Sequence, residues 1–377
     1  MNHLHFVDKY GSFTMDKPEN VSYLYFPLAS ETGLKSSLTP NLGGDAKIDQ
    51  ETFLLEPVSA ENLHSNRGVR NFWLVDEDGQ AFSVSGASAR QEADRFTPAQ
   101  DDSRLTAGLM WQTVERTAQD LGLDTEVTAF CPRQDNVEIL CITVRNQQEQ
   151  PRWLTPIAAV PLYGRSADNI RDHRNVTSML HRIWTTENGV MVRPTMSFDE
   201  RGHRPNHKVY YVEGFGPEGQ KPEAFYPTVE SFLGEGGTYL HPRAVYEQYP
   251  GVKAGSRAEG REAMGAFRFP AITLAPGQEA HYVLLLGVED SEEAVNAIWD
   301  KYHSWEQVQA VLDETRSYWK EKVNVSFRTG DPDFDNLMKW VCFQPFLRRL
   351  FGCSFLPHHD YCLLYTSPSP RDSTSSR

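Results

Sequence analysis

The stretch Asp124–Val144, DTEVTAFCPRQDNVEILCITV, decides the fold class. Its first part sets the acids Asp124 and Glu126 on one side of an extended chain and Val127 and Ala129 on the other, the period-two pattern of a half-buried strand. Val137–Val144 is a second run of the same type, and Pro132–Asn136 between them, PRQDN, is turn chemistry. The two runs predict a hairpin. Lys208–Glu213 (KVYYVE) alternates in the same way, and His281–Val288 (HYVLLLGV) is the short apolar run of a strand buried on both faces. No helix-length segments separate these runs before about residue 290, so a parallel α/β sheet is disfavoured and a large antiparallel β-sandwich is expected.

The chain has 377 residues, 39% of them hydrophobic and 11% aromatic, which is enough for a large core. A net charge of −14 argues against nucleic-acid or anionic-membrane partners, since these call for clustered Lys and Arg. No run approaches the roughly 20 apolar residues of a membrane helix. The opening MNHLHFVDKY lacks the basic and apolar regions of a signal peptide, so a cytoplasmic location is expected. Five cysteines without a CxxC pair point to free thiols rather than a disulfide framework or a thiol-built zinc site. Asn20-Val-Ser, Asn175-Val-Thr and Asn324-Val-Ser match the glycosylation pattern by chance in a cytoplasmic chain.

At Ser291 the pattern becomes helical. Ser291 before Glu292 and Glu293 is an N-cap, Ser304 with Gln307 three residues on is a capping box, and Val308, Val311, Leu312, Thr315 and Trp319 continue on one face. Residues 291–330 therefore read as a helical linker, with Val323–Arg328 a short strand at its end. A further helix is predicted from Asp331, an N-cap followed by Pro332 and the first-turn acids Asp333 and Asp335. Phe334, Leu337, Met338, Val341 and Phe346 form its apolar stripe, and Pro345 is expected to kink or end it. Phe334, Trp340, Phe343, Phe346 and Phe351 would then be left partly uncovered.

Motifs that carry chemistry are few. His203 and His207 have metal-ligand spacing, but RGHRPNH reads as a loop and no metal is expected. Asp120, Asp124 and Glu126 are weighed as a general-acid pair and set aside as solvent-facing acids. Gly234, Gly236 and Gly237 lack the Lys-Ser/Thr of a P-loop. Most of the aromatic residues, Trp73, Trp111, Trp153 and Trp184 among them, are expected in the core, with a minority free to stack on sugar rings. His358, His359, Asp360 and Tyr361 arrive together after the last helix and are candidate pocket residues.

The segments SYLYFPLASETGLKSSLTPNLGGDAKIDQETFLLEPVSAENLHSNRGVRNFW (Ser22–Trp73), PTVESFLGEGG (Pro227–Gly237) and YWKEKVNVSFRTGDPDFDNLMKWVCFQPFLRRLFGCSFLPHHDY (Tyr318–Tyr361) carry a resemblance to glycoside hydrolase family 94, most of all to its β-1,2-oligoglucan phosphorylases. The resemblance implies a mainly β fold: a β-supersandwich at 1–290, a helical linker at 291–330 and an (α/α)6 catalytic barrel opening at 331–361. It also implies an inverting reaction. One Asp protonates the glycosidic oxygen while inorganic phosphate, a co-substrate rather than a cofactor, attacks the anomeric carbon of a β-glucan oligosaccharide. A homodimer is among the implied partners. In relatives the general acid lies beyond the counterpart of Tyr361, so no catalytic residue is carried over, and His358, His359 and Asp360 are substrate-binding candidates only. The rival reading is a stand-alone carbohydrate-binding or dimerisation sandwich.

From Cys362 the chain reads CLLYTSPSPRDSTSSR, a Ser/Thr/Pro/Arg-rich string that resembles translated adapter read-through and is expected to be a non-native, disordered tail on a truncated barrel. Deleting Cys362–Arg377 should leave the melting temperature unchanged within about 2 °C, as calorimetry on the two lengths would show.

Overall fold

The computed structural model describes residues 4–21, 25–58, 68–170, 174–199 and 202–351. An eleven-stranded sheet, a six-stranded sheet and a four-stranded sheet make up the body, and their strands pair antiparallel. The predicted hairpin is present. Leu123–Phe130 pairs with Val137–Asn146, which in turn pairs with Glu279–Glu289 in the middle of the large sheet.

Alternate residues of Glu279–Glu289 explain its unbroken apolar sequence. Tyr282, Leu284 and Leu286 face the six- and four-stranded sheets in the main core, with Phe72, Leu74 and Val160 opposite. Val283 and Leu285 face the other way and pack under the helices Glu292–Tyr302 and Trp305–Lys322, against Val295, Ile298, Val308 and Leu312. A strand covered on both faces needs no polar positions in its middle. The outer face of the six-stranded sheet is covered in turn by the short helices Val229–Leu233 and Arg243–Tyr246, over Trp73, Ile157 and Met264.

The linker helices begin where the caps predict. Ser291 Oγ accepts from the Ala294 N–H at 3.2 Å, and Ser304 Oγ from the Gln307 N–H at 3.2 Å. They are pinned to the hairpin turn through Asp135, which accepts from Tyr302 Oη at 2.5 Å and from Lys301 Nζ at 2.6 Å. Residues 324–328 are irregular rather than the expected strand, because among the described residues no neighbouring strand offers them a ladder.

The last helix, Pro332–Phe351, differs from expectation in two ways. It does not end at Pro345: Phe343 and Leu347 on either side are buried against Trp319 and Val323, and this packing outweighs the one backbone hydrogen bond that proline removes. The face turned to the sandwich is also not the predicted stripe. Phe334, Leu337 and Val341 are 46%, 52% and 50% exposed, while Asn336, Lys339 and Phe343 are buried and Trp340 and Phe346 are half-buried. The buried polar groups are satisfied: Asn336 Oδ1 accepts from the Gly11 N–H at 3.1 Å, Lys339 Nζ donates to the Val323 carbonyl at 3.4 Å, and Trp340 Nε1 donates to the Gly11 carbonyl at 2.8 Å.

All three sheets meet at one ion pair. Arg70, preceding the strand Asn71–Asp76, donates through Nε to Glu138 Oε1 at 2.5 Å, and both side chains are fully buried. The same guanidinium reaches Ser36 Oγ at 2.6 Å and the Asp45 carbonyl at 3.1 Å in the four-stranded sheet. Removing one partner strands a buried charge. Arg70→Met should destabilise the fold by about 3–5 kcal/mol, and Arg70→Met with Glu138→Leu should recover much of that loss, as paired denaturation curves would show.

Candidate functional site

The linker helices cover only one end of the outer face of the eleven-stranded sheet. At the other end the side chains are polar, and the strand register lines them up in rows across the sheet. One row runs Asp16, Arg104, Glu115, Glu126, Thr143, His281, each opposite the next on the neighbouring strand. The adjacent row runs Asp102, Thr117, Asp124, Arg145, Glu279. Together they line a trough of about 790 Å³, with His281 beside it at the end of its row.

Hydrogen bonds hold most of these groups in place. Arg104 Nε donates to Asp16 Oδ1 at 2.9 Å, Thr117 Oγ1 to Asp124 Oδ1 at 2.8 Å, and Arg145 Nε to Glu279 Oε1 at 2.6 Å. Thr143 Oγ1 and His281 Nδ1 are 3.1 Å apart, and the imidazole stacks on Trp305 with ring centroids 4.2 Å apart. Farther along the same strand as Glu115, Trp111 packs against the core under the linker helices, with the Arg316 guanidinium 4.2 Å from its ring centre. Glu115 and Glu126 stand directly opposite each other, with Arg104 on the far side of Glu115 and the charge of Arg316 acting on Glu126. Like charges so placed repel. Burial, and then the Glu115 carboxylate, raise Glu126 above the usual carboxylate range. The arrangement offers alternating acceptors and donors on a rigid sheet.

Of the residues weighed in sequence, Asp124 and Glu126 lie in this trough, so setting them aside as ordinary solvent-facing acids missed the cavity they share. Asp120 is elsewhere, paired with Arg90. His358, His359 and Asp360 lie outside the described residues, as does the tail from Cys362. His203 sits on a strand, Gly202–Pro205, rather than in the expected loop, because it pairs with Met196–Asp199. Both His203 and His207 are exposed, and among the described residues no group of three His, Cys, Asp or Glu is placed to hold a metal ion. Cys131 and Cys141 are buried, and burial raises both thiols, which makes them poor nucleophiles. Gly234, Gly236 and Gly237 form the turn after Val229–Leu233, where a Cβ at Gly237 would meet the Leu233 carbonyl oxygen at 1.9 Å. Trp73 is buried, whereas Trp153 is 37% exposed.

A second concavity, of about 550 Å³, is apolar, formed by Phe6 and Phe13 with Phe334, Leu337 and Trp340 of the last helix. Residues such as Arg104, Arg145, Glu279 and His281 were not singled out in sequence, since only strand register brings them together. The acids at alternate positions of Asp124–Phe130 were the one available signal.

The chain belongs to glycosyl hydrolase family 94: the model of the family's supersandwich domain matches residues 46–305. No curated protein matches it in sequence. Among solved structures it is similar to a bacterial glucoamylase complexed with acarbose, at 9% identity and a TM-score of 0.43, over 91% of this chain and 43% of that one. It is also similar to a GalM/aldose epimerase homologue from C. elegans, at 10% identity and a TM-score of 0.37, over 71% of this chain and 98% of that one. A putative aldose 1-epimerase from Escherichia coli K12 gives 10% identity and a TM-score of 0.31, over 71% and 99%. These likenesses carry no functional argument.

A strongly perturbed acid lies outside the trough. Glu213, buried on the face beneath the linker helices, accepts from Thr186 Oγ1 at 3.3 Å, while its Oε2 has no partner, and burial raises its pKa to about 7. Its folded value is raised, so the contribution it makes to stability is present below its unfolded pKa and is lost as pH rises through about 7. Glu213→Gln should therefore gain on the native chain between pH 5 and pH 8 by on the order of 2–3 kcal/mol, measured as the difference of denaturation midpoints along a pH series.

Proposed function

We propose that the chain is the sandwich and linker region of an inverting glycoside phosphorylase that moves a glucosyl unit from a β-glucan to inorganic phosphate, releasing α-glucose 1-phosphate. The observation that supports this reading is the family match across residues 46–305. The favoured substrates are β-1,2-linked oligoglucans, following the resemblance of Ser22–Trp73 and Tyr318–Tyr361. Phosphate attack at the anomeric carbon needs a proton donor on the leaving oxygen, worth roughly 10²–10⁴-fold, and polar or cationic groups around the phosphate. The barrel supplies both in this reading, with His358, His359 and Asp360 as its proposed substrate-binding residues. Phosphate is the co-substrate, no cofactor is required, and a second copy of the chain is the expected partner. A cytoplasmic setting suits a charged sugar phosphate, which does not cross a membrane unaided, and no helix among the described residues is long and apolar enough to span one.

The test is a chimera in which the barrel of a β-1,2-oligoglucan phosphorylase follows Tyr361. It should release α-glucose 1-phosphate from β-1,2-oligoglucans and phosphate, while residues 1–377 alone release none. A folded but inactive chimera would overturn the phosphorylase reading, and a preference for cellobiose would remove only the linkage assignment.

A further inference from the structure

We infer that the trough on the eleven-stranded sheet is a non-catalytic binding site for a glucan oligosaccharide. The inference rests on the glucan-phosphorylase reading for its choice of sugar, but the site is argued from its own chemistry. An anion is disfavoured because the two facing carboxylates, Glu115 and Glu126, occupy its middle and the chain carries a net charge of −14. A bare metal ion is disfavoured because the other acids are already engaged: Asp16 by Arg104, Asp102 by Lys17 at 3.7 Å, Asp124 by Thr117 and by Gln147 Nε2 at 2.6 Å, and Glu279 by Arg145. A neutral polyol fits both facts. Its hydroxyls donate to Glu115 and Glu126, which relieves their mutual repulsion without adding charge, and they accept from the Arg104 and Arg145 guanidiniums and the Thr143 hydroxyl.

One further feature favours an oligosaccharide over a small polyol. A cavity of about 790 Å³ exceeds what one sugar ring fills. The site lies on the sandwich, so it needs nothing beyond the described residues.

The experiment is titration of the full 377-residue chain with a β-1,2-linked glucopentaose, followed by calorimetry and tryptophan fluorescence. Saturable binding is expected, weakened about tenfold in Glu115→Gln and Glu126→Gln and further in the double variant, with melting temperatures held at or above that of the native chain. Thr143→Val, which removes a hydroxyl without touching charge, should weaken binding by a smaller factor. Absence of binding at millimolar sugar, or binding that all three substitutions leave unchanged, would overturn the inference. An active chimera whose sandwich does not bind the pentaose would refute this site and leave the phosphorylase reading standing. Pentaose binding by the trough beside a folded, inactive chimera would do the reverse.

Discussion

The fully buried pair between Arg70 and Glu138 is the constraint on which the sandwich depends. Taking both charges out of water costs several kcal/mol per ion, and the pair is stable only because every neighbouring group is placed to hydrogen-bond it. Glu138 Oε2 accepts from Ser36 Oγ at 2.7 Å, and the second guanidinium arm spans the carbonyls of Leu42 and Gly43, both at 3.3 Å. Each of the three sheets therefore has one relative position in which this network closes. Apolar packing holds the layers together, and the ion pair fixes their register. The small sheet adds a second buried acid, Asp45, which burial raises to about 6 and which accepts from the Val58 N–H and Ser37 Oγ.

The trough follows from how far the linker reaches. Helices Glu292–Tyr302 and Trp305–Lys322 are anchored at the hairpin turn by Asp135, and Tyr318 Oη reaches Glu31 at 2.8 Å. They cover the part of the large sheet where Phe130, Ile139 and Leu285 point outward. On the same strands, a few residues along, the outward positions are Glu126, Thr143 and His281. A single face thus changes from core to hydrogen-bonding surface, and the half-buried Trp111 and the exposed carboxylate of Glu115 belong to one strand.

A separate polar cluster shows how a structural site differs from this surface. Arg116 points into the sandwich toward Glu19 at 3.4 Å and Asp101 at 3.8 Å, under Gly86, where a Cβ would lie 2.4 Å from the guanidinium. Although burial pushes Glu19 up, Arg116 and the hydrogen bonds from Ser103 and Gln100 hold it below its ordinary value. Here the charges meet one another inside the protein, whereas Glu115 and Glu126 face each other on an exposed part of the sheet.

The sequence alone determined the β class, the hairpin about Pro132–Asn136, the helix starts at Ser291, Ser304 and Asp331, and the family resemblance, because each is written in local periodicity, capping chemistry or contiguous similarity. Only the tertiary structure decided which face of Pro332–Phe351 is buried, since Asn336 and Lys339 become good interior residues once Gly11 and Val323 offer partners. Only strand register decided that Arg104, Glu115, Glu126, Thr143 and His281 form one row, because residues as far apart as Asp16 and His281 share it through hydrogen bonds between strands, and no spacing along the chain records that pairing.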